Sequence, residues 1–549
     1  MKKDGFTLIE ILLVLVILVT VSVAGTFAIQ NIQKKSNEER LSELYKEIES
    51  ATDVYLSEND AFLKDILNKE VDEKCIRIYT LQNEGLLSNT LTNPVTNKLI
   101  PANLCVMVYM KSDGTISSSF NESDEKKTIT LNVINGTSDN STKSGYNKVV
   151  FNVTPNAGYL NELETNTCNG TLNGSTYTID NITSTRTCSI SFKLDPPPEG
   201  STLVAAVKHF NPKVETRTSF SSVLTSDTTG TIFTSTENGT TVYYFAGNTE
   251  KNWVKFGKYE KEHVVYRGYY SSTSTNFKEY QTLDACTSAS SYNTNCTLYK
   301  FASTGDDIYW RIIRTNEDGS IRLLYHGTST TSTDAYISSP IAFNSTYNDS
   351  KYVGYMYDSN GSNSTIKNTI DSWYANNLTK YTNYLSTTAI YCNDRTSTGD
   401  DSYTRFGALN RLFTNKTPTY DCTNTSDAFS VSNSSAKLTY PIGLMTADEI
   451  SFAGGLWQTK ASAYYYQNSA GSSSTGDTWW YTMSPSYWFG SFSYVFFVDG
   501  SGDPGDLCDA FVSGTYGVRP AISLKSCIKY GTGDGSAGSP YTIDESYEC

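Results

Sequence analysis

The spacing of the cysteines constrains this fold more than any other feature. Of the 11 cysteines, ten fall into local pairs, and none lies in a CxxC motif. Zinc sites usually need such close spacing, so disulfides of an oxidising compartment are the better interpretation. The pairing rests on proximity along the chain, because sequence alone does not fix connectivity. The predicted pairs are Cys75–Cys105, Cys168–Cys188, Cys286–Cys296, Cys392–Cys422 and Cys527–Cys549, with Cys508 left over.

Composition limits the class of protein. A length of 549 residues predicts three or four domains at roughly 150 residues each. The 43 basic and 57 acidic residues give a formal charge of −14, which argues against a nucleic-acid partner because nucleic acid needs a basic surface. With only 3 histidines, little is available for His-based catalysis or multi-His metal sites. We expect no metal and no cofactor, and the absence of the catalytic motifs named below leads us to expect no enzymatic activity.

The N-terminal segment is apolar. Between Phe6 and Ile29 the only charged residue is Glu10. A helix of that length reaches about 36 Å, enough to cross a hydrocarbon core of about 30 Å. A secretory signal peptide cut after Ser22-Val23-Ala24 and a plain membrane anchor are two interpretations. Neither accounts for the carboxylate, which costs a few kcal/mol inside an apolar helix and indicates a function.

The residues KKDGFTLIE resemble a type IV prepilin leader. The resemblance implies that prepilin peptidase removes residues 1–5 by cutting between Gly5 and Phe6, and that the new Phe6 amine is methylated. Glu10 would then meet the Phe6 ammonium of a neighbouring pilin subunit in an apolar filament core. Before assembly, segment 6–29 would lie in the cytoplasmic membrane. The bulk of the chain would be extracellular, at the cell surface or on a pilus.

Helical spacing of apolar residues continues to about Leu56, so one long helix is predicted from Phe6. Residues 80–100 are similar to a segment of pilin-like proteins of Gram-positive bacteria, and residues 104–110 alternate as a strand. The pilin-like unit of long helix and small antiparallel sheet is therefore predicted over 6–122.

The middle of the chain is predicted to be a β-rich spacer. Residues 123–195 contain short alternating segments separated by turn residues. The motif VTPNAGY at 153–159 resembles a β-repeat of Gram-positive surface proteins. The prolines that follow predict an extended linker over 196–200.

Residues 201–526 are predicted to form one large domain, followed by a disulfide-closed tail over 527–549. Two domains split near Ser329 or Asn424 are the alternative. Segments such as WWYTMSP and GVRPAISL, within 479–524, resemble a domain family of bacterial surface proteins and C-type-lectin-like folds. The fold class predicted for the whole chain is α+β with several domains.

Local rules also predict two elements of this region. The segments YWRIIR and SIRLLYH flank the turn NEDG and predict a hairpin. TADEISFAGG predicts a short helix with Thr446 as its N-cap and Gly454 as its stop.

The run over 486–517 has an unusual composition. It is dense in Phe, Tyr, Ser, Asp and Gly, the composition of antibody paratopes. Its aromatic residues cannot all point inward if the strands alternate, so some should form an exposed patch. Alternation assigns Phe492, Tyr494 and Phe496 to the ligand side, and Val495 and Phe497 to the other face. The candidate ligand-binding residues are Phe489, Phe492, Tyr494, Phe496, Asp503, Asp506 and Phe511. Asp499, Asp503, Asp506 and Asp509 could hold Ca²⁺, but a solvated acidic turn is the preferred interpretation.

This run resembles the variable region of C-type-lectin-like proteins that are diversified by retroelements. Mutagenesis of adenines in AAC codons yields codons ending in C, which cannot encode Lys, Glu, Gln, Met or Trp. The run fits except for Trp488, which would belong to the framework, and the unpaired Cys508 would be a product of randomisation. An ordinary binding loop is the alternative.

The function that these resemblances imply is a filament-associated adhesin or receptor-binding protein for an extracellular protein or glycan. The alternatives are a surface enzyme acting on glycans or peptides, and a structural pseudopilin of an assembly machine. The enzyme hypothesis is weak because the sequence has no GxSxG, HExxH or phosphate-binding loop. The SxxK matches at Ser364–Lys367 and Ser434–Lys437 are expected by chance.

Mass spectrometry of the mature N-terminus tests the leader hypothesis. Cleavage after Gly5 removes two lysines and one aspartate, so the mature chain has a formal charge of −14 − 1 = −15. We expect a methylated Phe6 as the first residue. A mature chain that starts at Gly25 would instead identify a secretory signal peptide.

Overall fold

The computed structural model describes residues 34–549 except 69–70, 112, 123–125, 147, 181, 183, 333–334, 359–360, 401–402, 462–464, 467–478, 501–504 and 548, and the side chains of 398–400. The fold is mixed α+β, and strands predominate. The chain divides into two compact units, Met1–Asp195 and Pro196–Cys549.

The predicted apolar helix lies outside the described residues, as do Gly5, Phe6 and Glu10. Among the residues that are described, no helix is both long and apolar enough to cross a membrane.

The described part of the first unit starts with a helix that packs on a small sheet. Helix α1 covers 34–58, in agreement with the helix predicted to about Leu56. Its residues Ile48 and Leu56 share a core with Val106 and Val108 of the sheet. The sheet is antiparallel with the order β1-β2-β3. The elements after α1 are α2 (Asp60–Leu67), β1 (Glu73–Arg77), α3 (Ile78–Asn83), β2 (Cys105–Met110) and β3 (Ile116–Phe120).

The rest of the first unit is a pair of four-stranded sheets around one core. Their orders are β5-β7-β10-β9 and β6-β4-β11-β8, and β4 and β11 pair in parallel. Ile129, Phe151, Tyr177 and Ile190, which come from both sheets, are buried in that core. The strands are β4 (Lys127–Ile134), β5 (Gly136–Ser138), β6 (Thr142–Gly145), β7 (Val149–Pro155), β8 (Tyr159–Asn166), β9 (Thr171–Asn173), β10 (Thr176–Ile179) and β11 (Arg186–Leu194).

An eight-stranded sheet joins distant parts of the second unit. Its order is β12-β13-β14-β19-β20-β31-β26, and β15 also pairs with β19. The chain on both sides of Ser329 and of Asn424 therefore contributes to one sheet. Its strands are β12 (Lys213–Thr216), β13 (Thr231–Glu237), β14 (Thr240–Tyr244), β15 (Trp253–Lys258), β19 (Asp307–Thr315), β20 (Ile321–Gly327), β26 (Ile442–Leu444) and β31 (Pro520–Leu524).

Smaller sheets complete the second unit, with the orders β17-β16-β18, β21-β30, β22-β25 and β23-β24-β27-β28-β29. Their strands are β16 (His263–Tyr269), β17 (Phe277–Tyr280), β18 (Thr294–Ala302), β21 (Ile341–Ala342), β22 (Tyr391–Cys392), β23 (Ser397–Asp400), β24 (Tyr403–Phe406), β25 (Ala428–Phe429), β27 (Trp480–Phe489), β28 (Phe492–Val498), β29 (Leu507–Phe511) and β30 (Thr515–Tyr516). The α-helices are α4 (Leu203–Phe210), α5 (Leu283–Thr287), α6 (Thr365–Asn377), α7 (Gly407–Leu409) and α8 (Ala447–Ala453). Residues Ser350–Val353 and Thr379–Tyr384 are 3₁₀ turns, and Asn410–Asn415 is a π-helix.

All five predicted disulfides are present. Cys508 is the free cysteine of the described residues. The predicted hairpin around NEDG is also confirmed, because β19 and β20 pair across that turn.

A buried ion-pair network ties α8 to the eight-stranded sheet. Glu449 Oε1 accepts from Arg314 Nε at 2.8 Å and from Arg322 Nη1 at 2.6 Å. Arg314 also pairs with Glu237 at 2.8 Å. Burial alone would raise the pKa of Glu449, but Arg322 and Arg314 outweigh burial and hold that pKa below its ordinary value.

The same glutamate completes the start of α8. Thr446 Oγ1 accepts from the Glu449 amide, and the Glu449 carboxylate accepts from the Thr446 amide, which is a capping box. The helix ends at Gly454, whose φ of 115° is a conformation that favours glycine. Both predicted ends of this helix are confirmed.

Replacing Glu449 with Gln should destabilise the second unit by about 3–5 kcal/mol, because two buried guanidinium groups lose their shared carboxylate. Chemical denaturation followed by tryptophan fluorescence measures this loss. Glu262→Gln is the matched control, because Glu262 pairs with Lys300 at the surface and should cost about 1 kcal/mol or less. Equal losses in the two variants would contradict a central role for Glu449.

Candidate functional site

Residues of the compositionally unusual run lie in the end of β27, in β28 and in β29, which are neighbouring strands of the five-stranded sheet. Phe489 and Phe492 pair at the end of the β27–β28 hairpin, and Gly490-Ser491 form the two-residue turn. Gly490 has a φ of 62°, which such a turn requires and which glycine adopts without strain. A Cβ at Gly490 would have no heavy atom within 4 Å, so the turn projects into solvent.

The strand register brings aromatic rings together in a row across the sheet. Tyr487 lies opposite Tyr494, and Tyr494 lies opposite Phe511. Residues directly opposite each other share one face of a sheet, so their side chains interact. The Tyr487 and Tyr494 rings stack with centroids 4.1 Å apart, and the Tyr494 and Phe511 centroids are 4.6 Å apart.

A second row of rings lies next to the turn. Tyr403 of β24 pairs with Phe489, and the two ring centroids are 5.7 Å apart. Phe492 stacks on Tyr347, with centroids 5.5 Å apart and 2° between the ring planes. Phe492 also contacts Phe511 at 5.0 Å, which joins the two rows. We call the seven rings the aromatic surface: Tyr347, Tyr403, Tyr487, Phe489, Phe492, Tyr494 and Phe511.

Several of these rings are open to solvent. Phe489 is 57% exposed, Phe492 is 42% exposed and Phe511 is 41% exposed. Phenylalanine is usually buried, and contiguous exposed apolar side chains mark interaction sites. The aromatic surface is therefore the candidate binding site.

The expected exposure of Phe496 is wrong. Phe496 is fully buried. Its alternation with Phe492 and Tyr494 is regular, but Trp457 from the loop after α8 covers it, with ring centroids 5.5 Å apart. Val495 and Phe497 are buried, as expected for the other face.

The acidic residues differ from the expected solvated turn. Asp506 is buried, and its Oδ1 accepts from the Thr459 amide at 3.0 Å, so it holds a loop in place. Asp503 lies outside the described residues. No group of three His, Cys, Asp or Glu side chains within the described part of the chain is arranged to hold a metal ion.

Asp509 lies beside the aromatic rows. The pairing of β27 with β28 shifts between Pro485 and Tyr487, and such a bulge re-aims the side chain of Ser486. Ser486 Oγ donates to Asp509 Oδ2 at 2.7 Å. Burial raises the pKa of Asp509 to about 6. Burial also raises the pKa of the neighbouring Cys508 thiol to about 11, so the thiol is protonated at neutral pH.

A cluster of carboxylates elsewhere has no room for a substrate. Asp394, Asp448 and Glu449 line a small cavity of about 20 Å³, which is the space of roughly one water. Arg411 pairs with Asp394 at 2.5 Å and with Asp448 at 2.9 Å. Each of these carboxylates is thus neutralised by arginine, which is the pattern of a structural network.

The first SxxK match also has a structural role. Ser364 is buried and caps α6 by accepting from the Lys367 amide at 3.3 Å. The Lys367 ammonium pairs with Asp371 at 2.5 Å.

Comparisons with known protein families, with curated protein sequences and with solved structures found no match.

Several residues of the site have no signal in the sequence that marks them. Tyr347 and Tyr403 lie far upstream of the run, and no local pattern marks them as its neighbours. Tyr487 belongs to the run, but only the strand register shows that it stacks on Tyr494. Trp457 was not expected to cover the sheet.

Two alanine variants test which rings belong to the core. Phe496→Ala should cost about 3–5 kcal/mol of stability, because it leaves a cavity under Trp457. Phe492→Ala should cost about 1 kcal/mol or less, because much of its ring is already in water. Denaturant unfolding measures both values. A greater loss for Phe492→Ala would contradict the assignment of the exposed face.

Proposed function

We propose that this chain is a pilin-like, surface-displayed adhesin or receptor-binding protein. The unit Pro196–Cys549 is the ligand-binding part, and its aromatic surface contacts the ligand. The observation that carries this proposal is the exposure of several contiguous rings at the end of a well-packed sheet. Such rings lower the free energy of a complex when a partner covers them, and they cost little conformational entropy.

The leader motif and the disulfides support surface display. The residues around Gly5 and Phe6 resemble a prepilin leader, which makes prepilin peptidase, the membrane and other pilin subunits the partners during assembly. Glu10 would pair with the Phe6 amine of a neighbouring subunit. Five disulfides agree with an oxidising compartment outside the cytoplasm.

Two architectural assignments belong to the same proposal. Helix α1 on the sheet β1-β2-β3 would be the pilin-like part. Pro196–Cys549 would be C-type-lectin-like, since WWYTMSP leads into β27 and GVRPAISL ends in β31. The site would then lie on strands next to the lectin-like core.

Ring geometry favours a protein partner over a glycan. Sugars pack on exposed flat faces of aromatic rings. Here Tyr487 and Tyr494 stack, so one face of each ring is occupied by the other, and Tyr347 lies parallel to Phe492 with an offset. Stacking leaves less free face for a sugar, while the ring edges, which are apolar and carry partial positive charge, stay available to a partner. Ring edges fit a partner pocket lined by aliphatic and aromatic side chains.

Diversification by a retroelement is a second element of the proposal. The exposed rings Phe489, Phe492 and Phe511 lie on a framework that includes the buried Val495 and Val512. Sequence change at the exposed positions would alter binding and spare the core. A reverse transcriptase gene beside a near-copy of the codons for 486–520 would support retroelement diversification. A gene neighbourhood that lacks both would exclude it.

Adhesion of beads coated with the full chain tests the proposed function. The beads are applied to animal epithelial cells and to bacterial cells. The double variant Phe489→Ser/Phe492→Ser should reduce adhesion at least about tenfold, because it removes two exposed hot-spot rings. Protease treatment of the target cells should abolish adhesion, and glycosidase treatment should not.

Tyr270→Ser is the matched control. Tyr270 is 65% exposed, lies just after β16 and is not part of the aromatic surface. Its replacement should leave adhesion unchanged. If the double variant adheres fully, the aromatic surface is excluded as the ligand site.

A further inference from the structure

A groove of about 500 Å³ lies beside helix α6. Its volume falls within the roughly 300–1,000 Å³ that is typical of small-ligand pockets. One wall is a polar face of α6 on which Thr365, Asn368, Ser372 and Asn376 recur at helical spacing. These side chains are short, and each carries a hydroxyl or an amide.

The opposite side of the groove adds further polar groups. His263, at the start of β16, and Gln281, after β17, line it. Gln281 Nε2 donates to Ser339 Oγ at 2.6 Å, which holds this side to the loop before β21. Burial lowers the pKa of His263 to about 4, so its imidazole is neutral at pH 7.

The described lining of the groove includes two charged side chains, Lys261 and Glu262. Lys261 Nζ donates to Asn376 Oδ1 at 2.7 Å. Glu262 pairs with Lys300 at 2.8 Å. Lys261 and Glu262 carry opposite charges, so the described lining has no net formal charge. Because this ammonium already bonds Asn376 and this carboxylate already pairs with Lys300, the described lining favours neither an anion nor a divalent cation.

The described lining also includes apolar side chains. Ile337 and Trp373 are buried, and Ile341 is half-buried. The groove therefore combines apolar surface with hydroxyl and amide groups that both donate and accept hydrogen bonds. A sugar ring has the complementary chemistry, with apolar C–H groups and hydroxyls that donate and accept.

We propose that this groove binds a neutral oligosaccharide, as a site separate from the aromatic surface. This proposal does not depend on the protein partner proposed above. It gives the chain a second ligand of different chemistry.

Titration of the full chain with maltotriose, cellotriose and chitotriose, followed by ligand-observed NMR, tests the proposal. At least one of the three should bind saturably below about 10 mM. Ser372→Trp fills the groove from an exposed position on α6 and should weaken that binding at least about tenfold. Phe492→Ala should leave it unchanged, which separates this site from the aromatic surface.

Ala375→Trp is the matched control. Ala375 is exposed on the same helix but does not line the groove, so this variant should bind like the unchanged chain. The proposal is overturned if none of the three sugars binds saturably. It is also overturned if the two tryptophan variants bind equally well, or if inorganic phosphate competes with the sugar.

Discussion

The arrangement of the second unit depends on the buried ion pairs that the Glu449 carboxylate makes with Arg314 and Arg322. The carboxylate joins Arg314 and Arg322 of the eight-stranded sheet to the first turn of α8. From that turn, the Ala447 amide donates to Ser484 Oγ at 3.0 Å. Ser484 lies in β27, the strand that leads to the aromatic hairpin. A continuous set of buried polar contacts thus connects the large sheet to the strand that carries the site.

This connection has a consequence for binding. The rings of the aromatic surface are held by strand pairing, by stacking on one another and by a two-residue turn at Gly490. A site that is already ordered loses little conformational entropy when a partner binds. Because the hairpin tip is open to solvent, side chains there can vary without disturbing the buried positions around Val495. The scaffold therefore separates the residues that determine stability from those that we propose determine recognition.

Local sequence patterns predicted the disulfides and the capped helix correctly, but they predicted the aromatic surface only in part. The spacing of Thr446 and Glu449 predicted a capped helix, and local cysteine spacing predicted all five disulfides. Strand alternation placed Phe496 on the correct face, but alternation does not tell what packs over a face, and Trp457 buries that ring. Tyr347 reaches the site through tertiary contacts, which no periodicity in the sequence reports. Strand register, and the side chains that pack over a face of a sheet, depend on segments far apart in the sequence. Only the structure shows them.

We propose that the exposed rings contact a protein partner directly. Photocrosslinking at one of these rings measures this contact. A photoreactive benzoylphenylalanine replaces Phe492 in the full chain, and the chain is irradiated on cells to which it adheres. We expect a covalent adduct with a surface protein, and no such adduct when the same group replaces Tyr270. Adhesion without any protein adduct at Phe492, or equal adducts at both positions, would contradict it.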